Sequence, residues 1–162
     1  MDAIKSVGYR IVSCRELSYM INSRPSEKLS GTDVSYQYGC SINVIEGNHI
    51  SIKIMSNVFV KGEPVVKLES ETVFEFKPFD AAFDISEEGR IVDRIGIMPT
   101  LFGLSYSSTR GMMAIRTAGT PLESFPLPIV DAIDVINKMQ NPNIHIAEDS
   151  RLKGRNDDAK LD

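Results

Sequence analysis

Ser107-Ser108-Thr109-Arg110-Gly111 gathers three hydroxyls, a guanidinium and a glycine in five consecutive positions. At the start of a helix, such a run would suit an anion, because free backbone N–H groups converge there. Here it lies inside the helix-like stretch MPTLFGLSYSSTRGMMAIRTAG, Met98 to Gly119, where those N–H groups are already used. No anion site is expected. Other chemistry-bearing residues are sparse. His49 falls in a turn and His145 in the tail, positions that favour solvation over catalysis. Cys14 and Cys40 lie in strand-like segments, with no CxxC and no Cys/His cluster to suggest zinc. They read as reduced, packed thiols, with a disulfide as the alternative. The acidic DISEEG, Asp84 to Gly89, lacks the calcium-loop pattern and reads as a solvated turn. None of GxSxG, GxGxxG, GxxxxGK or HExxH occurs. The expectation is a chain with no catalytic residues, no metal and no cofactor. A small enzyme or ligand-binding domain is the competing class, and it would need an enclosed pocket with convergent polar groups.

Charge narrows the partners. The net charge is −4, which argues against a nucleic-acid surface. Glu69, Glu71 and Glu75 share one parity in PVVKLESETVFEFKPF. They form either a plain solvent face or a docking surface for a basic partner. No run is long and apolar enough to span a bilayer, and MDAIKSVGYR has no apolar signal region. A cytoplasmic protein without stable membrane insertion is expected.

The elements behind these residues follow from their periods. A chain of 162 residues with 42% hydrophobic residues can build one real core. YRIVSCRELSYMI, Tyr9 to Ile21, is a strand with Tyr9, Ile11, Leu17, Tyr19 and Ile21 in one parity, interrupted by Ser13 and Arg15. RPSEKLSGTD is a loop. VSYQYGCSINVI, ISIKIMSNVFVKG and PVVKLESETVFEFKPF alternate apolar and polar residues. The turns EGNH and Lys61 to Pro64 join these three strands into an antiparallel meander. FDISEEGRIVDRIGIM holds at most a short element. Pro99 and Gly119 punctuate the long helix. GTPLESFPLPIV is an extended proline-rich link, and Asp131 to Gln140 is a second, short helix. The fold class is α+β: a four-stranded antiparallel sheet, a long helix, the link and the short helix. Residues 1–140 form one domain, and 141–162 are a charged tail, expected to be flexible.

The long helix is a weak helix former, rich in Gly, Ser and Thr, with only Arg110 and Arg116 charged. Small side chains let two helix backbones approach closely, and Met112 and Met113 fill irregular gaps. Either the helix is wholly inside its own protomer, or one side meets a second subunit. Composition leaves these two even.

From about Tyr9 to Gln140 the chain resembles SecB, the bacterial export chaperone. The similarity is densest in PTLFGLSYSSTRGMMAIRTAGTPLESFPLPIVD, Pro99 to Asp131. There Pro99, Phe102, Arg110, Gly119, Thr120, Leu127, Pro128, Ile129, Asp131 and Ala132 match the family in order. The resemblance implies an ATP-independent holdase that binds unfolded or nascent polypeptides along apolar grooves. It implies a homotetramer, a dimer of dimers joined by the long helices, here through Gly103, Ser107, Ser108, Gly111 and Met112. The family passes preproteins to the SecA motor through acidic residues on the sheet. Glu16 and Glu69 match two such positions, while a third is Met20 here and the tail has no clear counterpart. Preproteins for delivery to SecA are the first expectation for the client, and a SecB-like chaperone dedicated to one partner, such as an antitoxin, is the alternative. Groove candidates for the client are Tyr19, Met20, Phe59, Phe79, Phe102, Leu122, Phe125 and Leu127, each of which core packing would also explain.

Overall fold

The computed structural model describes residues 6–22, 28–139 and 149–150. Four long strands come first: β1 (Gly8–Ile21), β2 (Val34–Ile45), β3 (His49–Val60) and β4 (Glu63–Lys77). A single turn, α1 (Phe79–Ala82), leads into a small hairpin of β5 (Phe83–Ile85) and β6 (Ile91–Asp93). The long helix α2 (Met98–Thr117) follows, then a 3-10 turn over Pro121–Ser124, the extended link, and α3 (Ala132–Met139). Asp149–Ser150 form β7. The main sheet is antiparallel in the order β1-β4-β3-β2-β7. The four-stranded antiparallel sheet with its long and short helices is the α+β arrangement expected, with β7 added at one edge. Of the charged tail, only Asp149 and Ser150 are among the described residues; the rest of 141–162, including His145, lies outside them.

The meander is built by its turns. Lys61 and Gly62 both take positive φ, +51° and +84°, as a two-residue hairpin twisted like its strands requires. In the three-residue turn one hairpin earlier, Glu46 and Gly47 also take positive φ. Register then puts Ile50, Ile52, Ile54 and Val58 of β3 beside Phe74, Thr72, Ser70 and Val66 of β4 on the face that α2 covers. The opposite parity, with Lys53, Lys67, Glu69 and Glu75, faces away. This agrees with the alternation in the sequence.

β1 departs from its parity. Two bulges skip Val12 and Leu17 in the pairing with β4. The helix-side residues are therefore Tyr9 and Ile11, then Cys14 and Glu16, then Tyr19 and Ile21. Each bulge consumes one residue, so two bulges restore the starting phase. That is why Ser13 and Arg15 interrupted the pattern, and why Leu17 is not in the core phase; it is exposed.

Under α2 the core divides in two. One cluster gathers Ile50, Ile52, Ile54, Phe74, Phe76, Phe83, Phe102, Tyr106 and Ile136. The other gathers Val58, Val66, Leu68, Met113, Leu122 and Leu127. Each fully buried large apolar side chain contributes about 1.5–3 kcal/mol. Buried hydroxyls of Ser56, Ser70, Thr72, Ser105 and Thr109 accompany them. Ser105 and Thr109 donate to the carbonyls of Leu101 and Ser105, both at 2.9 Å, and Thr109 also meets Ser70 at 2.7 Å. A hydroxyl bonded one turn back can be buried in a helix without an unpaired polar group. Much of the odd composition of α2 is thus satisfied inside the protomer.

The cysteines cannot bridge. Cys14 is on β1 and Cys40 on β2, with β4 and β3 between them. Three strand spacings amount to about 14 Å, twice the reach of a disulfide. Both thiols are free, and burial pushes that of Cys40 up to about 12.

Candidate functional site

Helix α2 starts where Asp93 of β6 accepts a hydrogen bond from the Met98 backbone N–H at 2.7 Å, with Pro99 beside it in the first turn. The helix then presents two different sides. Leu101, Phe102, Ser105, Tyr106, Thr109, Met113 and Thr117 are buried against the sheet. Leu104, Ser107, Gly111 and Ile115 form an exposed stripe at helical spacing, with Ser108 half-buried on it. Ile115 is 78% exposed and Leu104 39%. A Cβ placed on Gly111 would meet nothing within 4 Å. Of the residues expected at a subunit contact, Ser107, Ser108 and Gly111 lie on this open stripe. Gly103 and Met112 do not. Gly103 faces Ala132 of α3, whose Cβ lies 3.9 Å from where its own would be. Met112 is half-buried against the second core cluster.

The link after α2 is pinned to the helix rather than free. Arg110 Nε donates to the Leu127 carbonyl at 2.9 Å, and the Tyr106 hydroxyl donates to the Pro128 carbonyl at 3.1 Å. Burial pushes the Tyr106 hydroxyl up to about 12. These two bonds account for the matched Arg110 and Leu127-Pro128 as structural residues.

The apolar client candidates separate in the same way. Phe102, Leu122 and Leu127 are fully buried and belong to the core clusters, because helix, 3-10 turn and link close over them. In this conformation no client can reach them. Tyr19, Phe59, Phe79 and Phe125 are half-buried. Tyr19 lies beneath the Arg116 guanidinium, 4.8 Å from its ring centre, and Phe79 packs on Phe83 at 5.3 Å. Met20 is exposed.

The open concavity lies elsewhere. The β5–β6 hairpin stands off the end of β2 and leaves a groove of about 1470 Å³. Ile42 and Val44 of β2, Met98 of α2, and Ile136 and Met139 of α3 line it, facing Ile85, Ile91 and Val92 of the hairpin. Glu87, Glu88, Arg90 and Asp93 contribute its polar lining. None of the eight sequence candidates lines this groove. The missed signal was in FDISEEGRIVD: two short runs with β-branched or aromatic residues around a Gly-containing turn make a hairpin, not a bare solvated turn. The groove is open and its lining is mixed, apolar side chains from β2, α2, α3 and the hairpin accompanied by four charged ones, with no cluster of three or more metal-binding side chains among the described residues. It suits an extended apolar chain rather than an enclosed small molecule.

The acidic face is not a free negative patch. Glu71 is buried, held by Arg15 at 2.7 Å and by the Ser51 hydroxyl at 2.8 Å. These bonds, the Arg15 bond first, lower its carboxyl. Arg10 and Lys77 flank Glu75 and pull it down to about 2. Lys67 pairs with Glu69 at 3.0 Å and lowers it. Glu16 is paired with Arg116 at 2.6 Å, which lowers Glu16 and raises Arg116. The two docking candidates do not share a surface. Glu16 stands opposite Ser70 on the α2 side of the sheet, whereas Glu69 stands opposite Met55 and Ser18 on the other side. The reason is the alternation of the strand itself.

No helix among the described residues is long and apolar enough to cross a membrane. No protein-family model matches the sequence, and no curated protein sequence does. Among solved structures, the chain is similar to the SecB-like chaperone Rv1957 of Mycobacterium tuberculosis, in complex with a ChAD peptide from the Rv1956 HigA1 antitoxin. The TM-score is 0.51 at 13% identity, covering 75% of this chain and 90% of that one. The fold is SecB-like, as the resemblance in Pro99 to Asp131 implied.

Proposed function

We propose that the chain is an ATP-independent chaperone that holds an extended, unfolded polypeptide, and that its client is a dedicated partner such as an antitoxin. The observation that carries this reading is the fold it shares with a SecB-like chaperone whose structure includes an antitoxin peptide. The open groove beside β2, with Ile42, Val44, Ile85, Ile91 and Ile136 in its lining, supports this reading. The holding reaction needs no nucleotide and no cofactor, because burial of client apolar surface drives it. Preprotein delivery to SecA has less support. Its two matched carboxylates face opposite sides of the sheet and each is already paired. The stripe Leu104, Ser107, Ser108, Gly111 and Ile115 supports self-association through α2, in keeping with a homotetramer. Work in the cytoplasm, where antitoxins and nascent chains are found, completes the proposal.

Affinity purification from the native cell, with quantitative mass spectrometry, tests the choice of client. One dominant small partner, stabilised when this chain is co-expressed, is the expected result. Broad recovery of preproteins together with SecA would replace the dedicated client with the export pathway.

A further inference from the structure

The two edges of the main sheet are built differently. β1 carries Arg10, Arg15 and Glu16 and is broken by two bulges. Charges and bulges of this kind blunt an edge against pairing with another chain. β2 has neither. VSYQYGCSINVI contains no charged residue and no proline, and its twelve residues pair with β3 without a register shift. Among the described residues no strand pairs with this edge from Gly39 to Ile45, and an uncharged, unbulged edge is a template for strand addition. It is also the wall of the groove, since Ile42, Asn43 and Val44 line it. One strand already uses this edge: Asp149–Ser150 pair antiparallel with Gln37 and Tyr36.

We infer that the β2 edge takes its polypeptide by strand addition, and that the chain's own β7 occupies part of the same edge until a client displaces it. This rests on the polypeptide-holding reading and names how the client is gripped. Backbone hydrogen bonds to β2 give sequence tolerance. Every second client side chain falls on the groove side, beside Ile42 and Val44, because side chains alternate along a strand. The occupant is therefore an extended segment with apolar residues at alternate positions.

The test uses the full chain and a short synthetic peptide that alternates valine and serine. A second peptide of the same sequence carries N-methyl groups on alternate backbone nitrogens. If the client adds as a strand, the methylated peptide binds at least about tenfold more weakly, having lost several net-favourable hydrogen bonds. Hydrogen exchange then shows new protection from Gly39 to Ile45 and none along β1. The Asp149→Pro/Ser150→Pro variant removes the donors of β7 and binds the unmethylated peptide several-fold more tightly, because more of the protein is binding-competent. Equal affinity for both peptides would overturn strand addition while leaving the holding function intact. An unchanged affinity in the proline variant would overturn the competition with β7. If neither peptide binds and a denatured reporter protein is not held either, the functional reading fails and this inference with it.

Discussion

Helix α2 has one side that its own protomer explains and one that it does not. The inner side packs Leu101, Phe102, Tyr106 and Met113 on the sheet and returns its buried hydroxyls to carbonyls or to Ser70. The outer side offers Leu104, Ser107, Ser108, Gly111 and Ile115 to solvent. Both sides are poor in charge, so composition alone cannot separate them. The hydroxyls on the inner side work as apolar-compatible fillers, whereas the small residues on the outer side leave room for another backbone. One weak-looking sequence thus carries two different sides.

The comparison can be broken first on its inner side. Phe102 is fully buried and stacks on Tyr106 at 5.8 Å, so Phe102→Ala should cost about 3–5 kcal/mol of stability in urea denaturation. A loss of about 0.5 kcal/mol or less, the range of surface changes, would mean the inner side is not the core it looks. Ser108→Trp attacks the other side. It should reduce the proposed tetramer to dimers in light scattering while circular dichroism shows the sheet intact. An unchanged mass would remove this stripe from the assembly. Gly111→Ala has a smaller effect and a telling sign. With open space around its Cβ, alanine should raise the stability of the protomer by up to about 1 kcal/mol and weaken self-association. If it raises both, no close helix contact passes over Gly111.

The smallest effect is a matter of pH. Arg116 near the end of α2 holds Glu16 of β1 and depresses its carboxyl below 4.5. A group whose folded pKa is lowered contributes stability above its unfolded pKa and loses it as pH falls through the folded value. Glu16→Gln should therefore cost less than about 1 kcal/mol at pH 7, since the pair is partly exposed. The difference from the parent should vanish below the depressed pKa. A difference that persists at pH 2 would assign the effect to packing, such as the Arg116–Tyr19 contact.

Most of the fold is legible in the sequence because three strands keep period two, but for one irregularity at Val65 of β4, and the turns carry Gly at positive φ. The sequence hid β1's phase, since the interruption at Ser13 and Arg15 is visible but alternation alone does not show that bulges at Val12 and Leu17 cause it. The site was less legible. Phe102, Leu122 and Leu127 look like binding residues because they fall outside the strict core phase or in the link, yet tertiary closure buries them. The groove residues Ile42, Ile91 and Ile136 come from three distant segments, and nothing in their own neighbourhoods relates them. Glu16 and Glu69 matched a family pattern one by one, but the alternation of strands decides whether two residues share a face.

The direct measurement of the central claim is the aggregation of a chemically denatured reporter protein diluted into buffer without ATP. An equimolar amount of this chain should suppress the light scattering and yield a soluble complex of defined mass. Scattering unchanged by an excess of the folded chain would contradict the account.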